Sequence, residues 1–430
     1  MPEHMHGRRW LCLTRGALLI PLLTPTGGAQ PAVPGSAAPA PAAAIAEYRR
    51  LPIRPLGPIT ASAKDSLGPL LVARGLSDGS VIVGVFLAGR TLGYRKILHF
   101  DSTLQTHRLL RDSTHFPQLV HVPGDSTILF DAGSRSLVML DPQLRDVRTM
   151  SLPRIRDFQG MQGFTRTPML DPKGRLVYLG DFPPPPQKPG TGPNALPTPF
   201  LPDTAPLVRA DFDTRQVDTI AVIRISQPGK VALLDGGGVV TVNWKINPLT
   251  AADEWTMLPD GSIAILRASD YHIDWIDPDG SRRSTPRMPM DWQRVTDARR
   301  QFLIDSLQPF LDTMRTRTPP RVEQTPDGPR RVAFKWEAIA PDSFPSYEPP
   351  IGPGSLRVDL DGNLWILPRT ASLAPNGGGL VYDIVNRKGE IVERVQLPKG
   401  MALVNFGPGG VLYLNRVEGQ TGFLHRARIR

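Results

Sequence analysis

Short apolar runs separated by tight turns recur along the chain from about residue 67. Each unit has an apolar strand, a turn carrying Gly, a second apolar strand and a variable polar stretch. A third apolar strand follows, most often ending in Asp. The first copy carries its turn at 77–79 (SDG), then VIV at 81–83 and ILHFD at 97–101; the second has PGD at 123–125, TILF at 127–130 and LVMLD at 137–141. DPKG at 171–174 opens the third, with LVY at 176–178 and LVRAD at 207–211. The fourth is the clearest, with PDG at 259–261, IAIL at 263–266, YHIDWID at 271–277 and a second PDG at 278–280. Two more follow, around DLDGN at 359–363 and GPGG at 407–410.

Such turns supply the positive φ that tight hairpins demand, and the β-branched and aliphatic runs suit strands buried on both faces. One antiparallel sheet cannot bury itself, whereas repetition around an axis does so and leaves only short edges. The turn-to-turn spacings of 46, 49 and 48 residues (Gly79 to Asp125, Asp125 to Gly174, Gly362 to Gly410) fit one four-stranded blade each, since blades take ~40–50 residues. The expected fold class is all-β: a six-bladed β-propeller with a Pro-rich loop and a small helical insertion.

Two gaps exceed the rhythm. One holds the Pro-rich segment 182–206 and an extra strand pair around Gly236-Gly237-Gly238. The other holds an insertion over 291–347. There Leu303, Leu307, Phe310, Leu311 and Met314 form a helical stripe, with Thr296 as N-cap and Pro309 expected to kink the helix or start a second one. The last copy is about one strand short, so an N-terminal strand near residues 48–59 should complete it and close the ring. Loops carry function more often than blades, so both insertions are expected to frame a ligand site at an opening of the channel; the alternative for the helix is that its stripe merely packs on a blade's outer edge.

The segments 258–265 (LPDGSIAI), 271–277 (YHIDWID) and 358–366 (VDLDGNLWI) resemble those of exported bacterial six-bladed propellers of the NHL-like or TolB-like type. The resemblance runs over about residues 67–430 as blade rhythm. The chain departs from NHL repeats in its long insertions and in lacking a regular Asn-Arg pair. The motif implies a fold and brings no catalytic residues. Propellers of this kind include binding platforms, scaffolds and enzymes.

Composition adds a compartment. Arg8, Arg9 and Arg15, the short apolar run 16–23 (GALLIPLL) and Gly27-Gly28-Ala29 read as a signal peptide, residues 1–29. The Arg8-Arg9 pair leaves Sec and Tat export both open. Residues 30–46 are a Pro/Ala-rich linker, and 47–430 form the propeller domain. Localisation is read as periplasmic or extracellular. The apolar run is too short to span a bilayer, so no transmembrane segment is expected. Cys12 is the one cysteine, and cleavage removes it. The formal charge is +10; losing three Arg and one Glu leaves about +8. The basic residues are scattered, without the stripe that nucleic-acid binding needs. Partners are read as a protein, glycan or small-molecule ligand, on a monomer; no cofactor is assigned.

Four histidines, His99, His107, His115 and His121, cluster in sequence, but spacings of 8, 8 and 6 match no metal motif. Asp359-Leu360-Asp361 and Asp277-Pro278-Asp279 open like calcium loops, yet Thr370 and Met288 stand where the bidentate Glu belongs, so both read as turns. There is no nucleophile elbow, HExxH, P-loop or dinucleotide fingerprint. Asp253, beside Glu254 and Trp255, is the acidic candidate. Tyr271 and His272 mix aromatic and titratable groups on one strand, and Trp336 is an insertion aromatic. These four are the candidate ligand-binding residues. No metal ligands or catalytic residues are assigned. The leading reading is a binding or scaffold module; the alternative is a metal-dependent, lactonase-like hydrolase or lyase using the central channel.

Overall fold

The computed structural model describes residues 42–68, 70–86, 94–115, 117–131, 133–157, 167–181, 203–226, 230–235, 239–325, 328–370, 378–418 and 421–429. The leader, most of the linker and most of the Pro-rich segment lie outside them. The Ala-rich end of the linker stretch is helical, forming α1 (Ala42–Arg50), as a run of the best helix former favours. Two short strands follow, β1 (Ile53–Pro55) and β2 (Ile59–Ser62).

The chain then folds as meanders. The first is β3 (Leu70–Gly75), β4 (Val81–Phe86), β5 (Tyr94–Phe100) and β6 (His107–His115). The second is β7 (Gln118–His121), β8 (Thr127–Asp131), β9 (Ser136–Leu140) and β10 (Asp146–Met150). The third is β11 (Met169–Leu170), β12 (Leu176–Leu179), β13 (Thr204–Ala210) and β14 (Val217–Arg224). After a hairpin, β15 (Lys230–Asp235) and β16 (Val239–Ile246), comes the fourth: β17 (Glu254–Met257), β18 (Ile263–Arg267), β19 (His272–Ile276) and β20 (Arg282–Ser284). The helix α2 (Asp297–Arg317) and strands β21 (Arg321–Thr325) and β22 (Gly328–Ala338) precede the fifth, which is β23 (Ile351–Val358), β24 (Leu364–Pro368), β25 (Val381–Val385) and β26 (Ile391–Gln396). The last has three strands, β27 (Met401–Gly407), β28 (Val411–Glu418) and β29 (Thr421–Arg428).

The missing strand of the last meander comes from the other end of the chain: β2 pairs antiparallel with β29, Ser62 opposite His425 and Ile59 opposite Ala427. The closing strand therefore begins where the expected window, 48–59, ends. Pro52, Pro55 and Pro58 account for the offset, because each lacks the N–H that a ladder position needs on its paired side. The segment after Pro52, β1, which ends on Pro55, instead adds to the outer edge of the fifth sheet, parallel to β26.

Apolar clusters join each meander to the next. Ile82 and Ile97 meet Leu119 and Leu129; Ile128 and Phe130 meet Leu176 and Tyr178; Leu179 and Leu207 meet Trp255 and Ile265. Leu266 and Trp275 meet Leu356 and Ile366, and Trp365 and Val395 meet Leu403 and Leu414. Val404, Tyr413 and Leu424 return to Val81 and Phe100 of the first meander. The first strands are neighbours in turn, β3 lying beside both β27 and β7. A closed ring of meanders with their first strands innermost is a β-propeller.

In such a meander, connections 1–2 and 3–4 leave at one end, while 2–3 and the link to the next sheet leave at the other. The first end carries only short turns. At Pro259-Asp260-Gly261, Asp260 accepts from the Ser262 N–H (3.0 Å), and Gly261 has φ +87° with its Cα so close to Pro172 that a Cβ would sit 2.7 Å away. Every long connection, 180–203, 225–253 and 285–350 among them, leaves from the second end, termed here the insertion face.

Two of those connections build a further sheet, ordered β15-β16-β22-β21. Its centre is a parallel pairing of β16 with β22, from Val239 opposite Arg331 to Ile246 opposite Ala338. The helix α2 packs on it through Leu307, Leu311 and Met314 against Trp244, Ile246, Phe334 and Trp336. Leu303 and Ile304 pack on a second cluster, Leu249, Val295, Ile339 and Phe344. Thr296 caps the helix, its hydroxyl accepting from the Arg299 N–H at 3.2 Å. The helix runs through Pro309 as one element, held on both sides of it by Leu307 and Leu311. Phe310, read from the sequence as part of the stripe, turns outward at 46% exposure and meets Trp336 only edge-on.

Candidate functional site at the insertion face

A pocket lies at the insertion face between the third, fourth and fifth meanders, walled by Leu179, Ile225, Ser226, Ala252, Asp253, Glu254, Trp255 and Pro353. Its two carboxylates hold the wall together. Asp253 accepts from the backbone N–H groups of Arg224 (3.0 Å) and Ala268 (3.1 Å) and from Arg267 Nη1 (2.8 Å). Glu254 accepts from the Gly354 N–H at 2.9 Å, tying β17 to β23. These acceptors already serve the scaffold.

Arg267 leads from the pocket to a buried charge ladder. Its Nε donates to Asp274 Oδ2 at 2.7 Å. Asp274 Oδ1 faces His272 Nε2 at 3.2 Å, and His272 Nδ1 faces Asp270 Oδ1 at 2.7 Å. Arg287 ends the ladder, 3.6 Å from Asp270. Three carboxylates thus alternate with three cations. Carboxylates only accept, so both imidazole nitrogens donate and His272 is an imidazolium. Its pKa is raised, chiefly by the hydrogen bond to Asp274, against the effect of burial. Burial alone would raise the Asp274 carboxyl, but hydrogen bonds from His272, Ser284 and Arg267 hold it far below its ordinary value. An imidazolium occupied at both nitrogens neither ligates a metal nor takes up a proton; it clamps the start of β19.

Asp253 and His272 therefore share one network, joined through Arg267 and Asp274. Tyr271 points away from it. It has φ +54°, is buried in the cluster between the fourth and fifth meanders, and burial raises its pKa well above the usual phenol value. Near it, Tyr48 of α1 donates to Asp383 Oδ2 (3.2 Å), and Arg394 Nε donates to Oδ1 (3.2 Å). Burial raises the Asp383 carboxyl to about 6 against both partners. Trp336 lies in the added sheet, stacked on Trp244 with centroids 5.4 Å apart and donating to Thr318 Oγ1 at 2.9 Å.

His99, on β5, meets Ser80 Oγ at 3.0 Å, whereas His107, on β6, faces Asp65 at 3.2 Å. His121 is on β7, and the side chain of His115 lies outside the described residues. Asp359 closes its own turn, accepting from the Asp361 and Asn363 N–H groups and from Trp365 Nε1 at 3.0 Å. Among the described residues, no group of three His, Cys, Asp or Glu converges as a metal ligand set. Nor is any helix among them long and apolar enough to cross a membrane.

What sequence reasoning missed is a surface. Among the described residues the large exposed aromatics are Trp292 (40%), Phe302 (59%), Phe310 (46%) and Tyr347 (51%), and all belong to the connection between the fourth and fifth meanders. One signal for it was available: Phe302 falls one residue off the stripe through Leu303, Leu307, Leu311 and Met314, so it cannot share their buried face.

No family model matches the chain, and no curated protein sequence does. Solved structures do resemble it. A gluconolactonase of Xanthomonas campestris has 12% identity and a TM-score of 0.38, over 88% of this chain and 96% of that one. Regucalcin of Agrobacterium tumefaciens, a calcium-binding protein, has 11% identity and a TM-score of 0.38, over 88% and 98%. Virginiamycin B lyase of Staphylococcus aureus has 9% and 0.36, over 86% and 98%. Likeness at this level assigns no function.

Proposed function

We propose that this chain is an exported binding module, a β-propeller with six meanders as its blades and its ligand face at the insertion end. One observation carries the reading: among the described residues, the large exposed aromatics all sit on a structured insertion at that end. Exposed aromatic surface is costly to keep in water and marks interaction sites. The insertion is held as a platform by the added sheet and α2, so little is lost in ordering it when a ligand binds. The leader 1–29 is removed, and the domain from 47 onward works in the periplasm or outside the cell as a monomer. Its partner is a protein, glycan or small molecule.

The test uses the mature chain and a variant carrying W292A, F302S, F310S and Y347A. Circular dichroism confirms that both fold. Each is offered a panel of polysaccharides, peptides and small lactones, the lactones with and without added Ca²⁺ or Zn²⁺. The proposal expects the wild type to bind a panel member and the variant to lose that binding at least tenfold. Equal binding by both would overturn it. Turnover of a lactone that survives the four substitutions would put a lactonase-like enzyme in its place.

A further inference from the structure

Within the insertion, the segments 292–295 and 346–348 form a short antiparallel ribbon. Arg294 bridges Tyr347, flanked by hydrogen bonds from the Val295 N–H to Ser346 O and from the Glu348 N–H to Gln293 O, both 2.9 Å. That pattern makes Arg294 and Tyr347 a non-hydrogen-bonded pair, the arrangement that brings facing side chains closest. Trp292 stands two residues from Arg294, just before the paired residues; strand alternation carried back to it would place it on the same face, about 6.6 Å along. All three are exposed, as are Gln293 and Ser346, while Val295 and Glu348 at the inner end of the ribbon are buried.

The ribbon is stiff. Val295 belongs to the apolar cluster with Leu249, Ile339 and Phe344. Glu348 accepts from Arg299 Nε at 2.7 Å, which fixes the ribbon to the first turn of α2. The local charge is positive. The two nearest carboxylates in sequence, Asp291 and Asp297, are bonded to Arg49 of α1 (2.9 Å) and to Arg300 respectively, and Arg294 has no acidic partner among the described residues.

We propose that Trp292, Arg294 and Tyr347 form a subsite for an acidic polysaccharide, the aromatic faces stacking on sugar rings and Arg294 pairing with a ring carboxylate. Flat aromatic faces complement the C–H faces of sugars, and a guanidinium binds a carboxylate in two-pronged fashion. The mature chain's net charge of about +8 (+10 less three Arg and one Glu of the leader) favours an anionic polymer over a neutral one. This subsite rests on the insertion face being the ligand face.

Affinity electrophoresis of the mature chain through polygalacturonate tests it, with methyl-esterified polygalacturonate and polyglutamate as probes of charge and ring separately. The expected order is polygalacturonate strongest, the esterified polymer weaker and polyglutamate weakest. W292A and Y347A should each weaken polygalacturonate binding about tenfold. R294Q should bind the acidic and esterified polymers alike. No retardation by polygalacturonate overturns the subsite, as does retardation equal to that by polyglutamate and unchanged in W292A. If W292A and Y347A instead abolish binding to a peptide in the panel, the polysaccharide assignment falls and the binding face stands.

Discussion

Arg267→Met isolates the charge ladder from ordinary packing. Methionine keeps most of the aliphatic stem but removes the cation between Asp253 and Asp274, whose side chains are 7% and 13% exposed. Two buried carboxylates then face each other without their shared donor, and Asp253 keeps only its backbone partners. Breaking a buried pair in this way costs ~3–5 kcal/mol. At ~2.1 cal/mol/K per residue, a domain of this length has an unfolding entropy of about 0.8 kcal/mol/K, so Tm should fall by about 4–6 °C near neutral pH. The pH dependence is the sharper signature. The depressed pKa of Asp274 gives the wild type stability that is present above the unfolded carboxyl value, ~3.9, and is lost as pH falls through the folded pKa. In the variant the orphaned carboxylates gain by protonation as pH falls, so the gap should be widest at pH 7.5 and narrow towards pH 4. Differential scanning calorimetry at pH 7.5, 5.5 and 4 measures it. A gap under 1 °C, or one constant across that range, would refute the ladder as an electrostatic unit.

Other outcomes follow from the same geometry. The raised pKa of His272 contributes stability that is full below ~6.5 and lost as pH rises through the folded value; H272Q should flatten that part of the Tm profile, and an unchanged profile would contradict the imidazolium. Asp383, with its carboxyl raised to about 6, makes the wild type lose stability as pH rises from ~4 to 6; D383N should abolish that slope, which a denaturant titration at pH 4, 5 and 6 reads. Leu311 is the buried residue of α2, and L311A should cost about 2–5 kcal/mol. Hydrogen exchange should show that loss in α2 and β22 and leave the meanders protected. N-terminal sequencing of the exported protein should begin near Gln30, and an intact Met1 on exported material would contradict leader removal.

The repeating turns made the propeller legible, because each Asp- or Gly-bearing turn is a local signal and its spacing reports the blade. The closing strand was legible in kind and displaced in place: strand count demands it, but proline positions decide where pairing starts. Of the added sheet only the β15–β16 pair was legible, as an extra strand pair around Gly236-Gly237-Gly238. Its central pairing, β16 with β22, joins segments that a whole meander and a helix separate, and nothing local in either strand encodes the partner. Asp253 and His272 were picked as separate residues, while the cation that joins them, Arg267, looks in sequence like any strand-end arginine. Tyr271 was read as part of the same strand, but it stands in the turn before β19 with a positive φ and its ring buried in the core. Tyr347 was noted as an insertion aromatic, with Phe334, Trp336 and Phe344, but Trp292 and Phe302 escaped notice, because exposure depends on which face the insertion packs, and that is set by contacts distant in sequence.

Hydrogen–deuterium exchange of the mature chain with and without saturating polygalacturonate tests the central claim most directly. The insertion-face account predicts slowed exchange in peptides covering 284–349, with the short turns at 277–281 and 359–363 on the opposite end unchanged. Protection of those turns, with 284–349 unaffected, would contradict it.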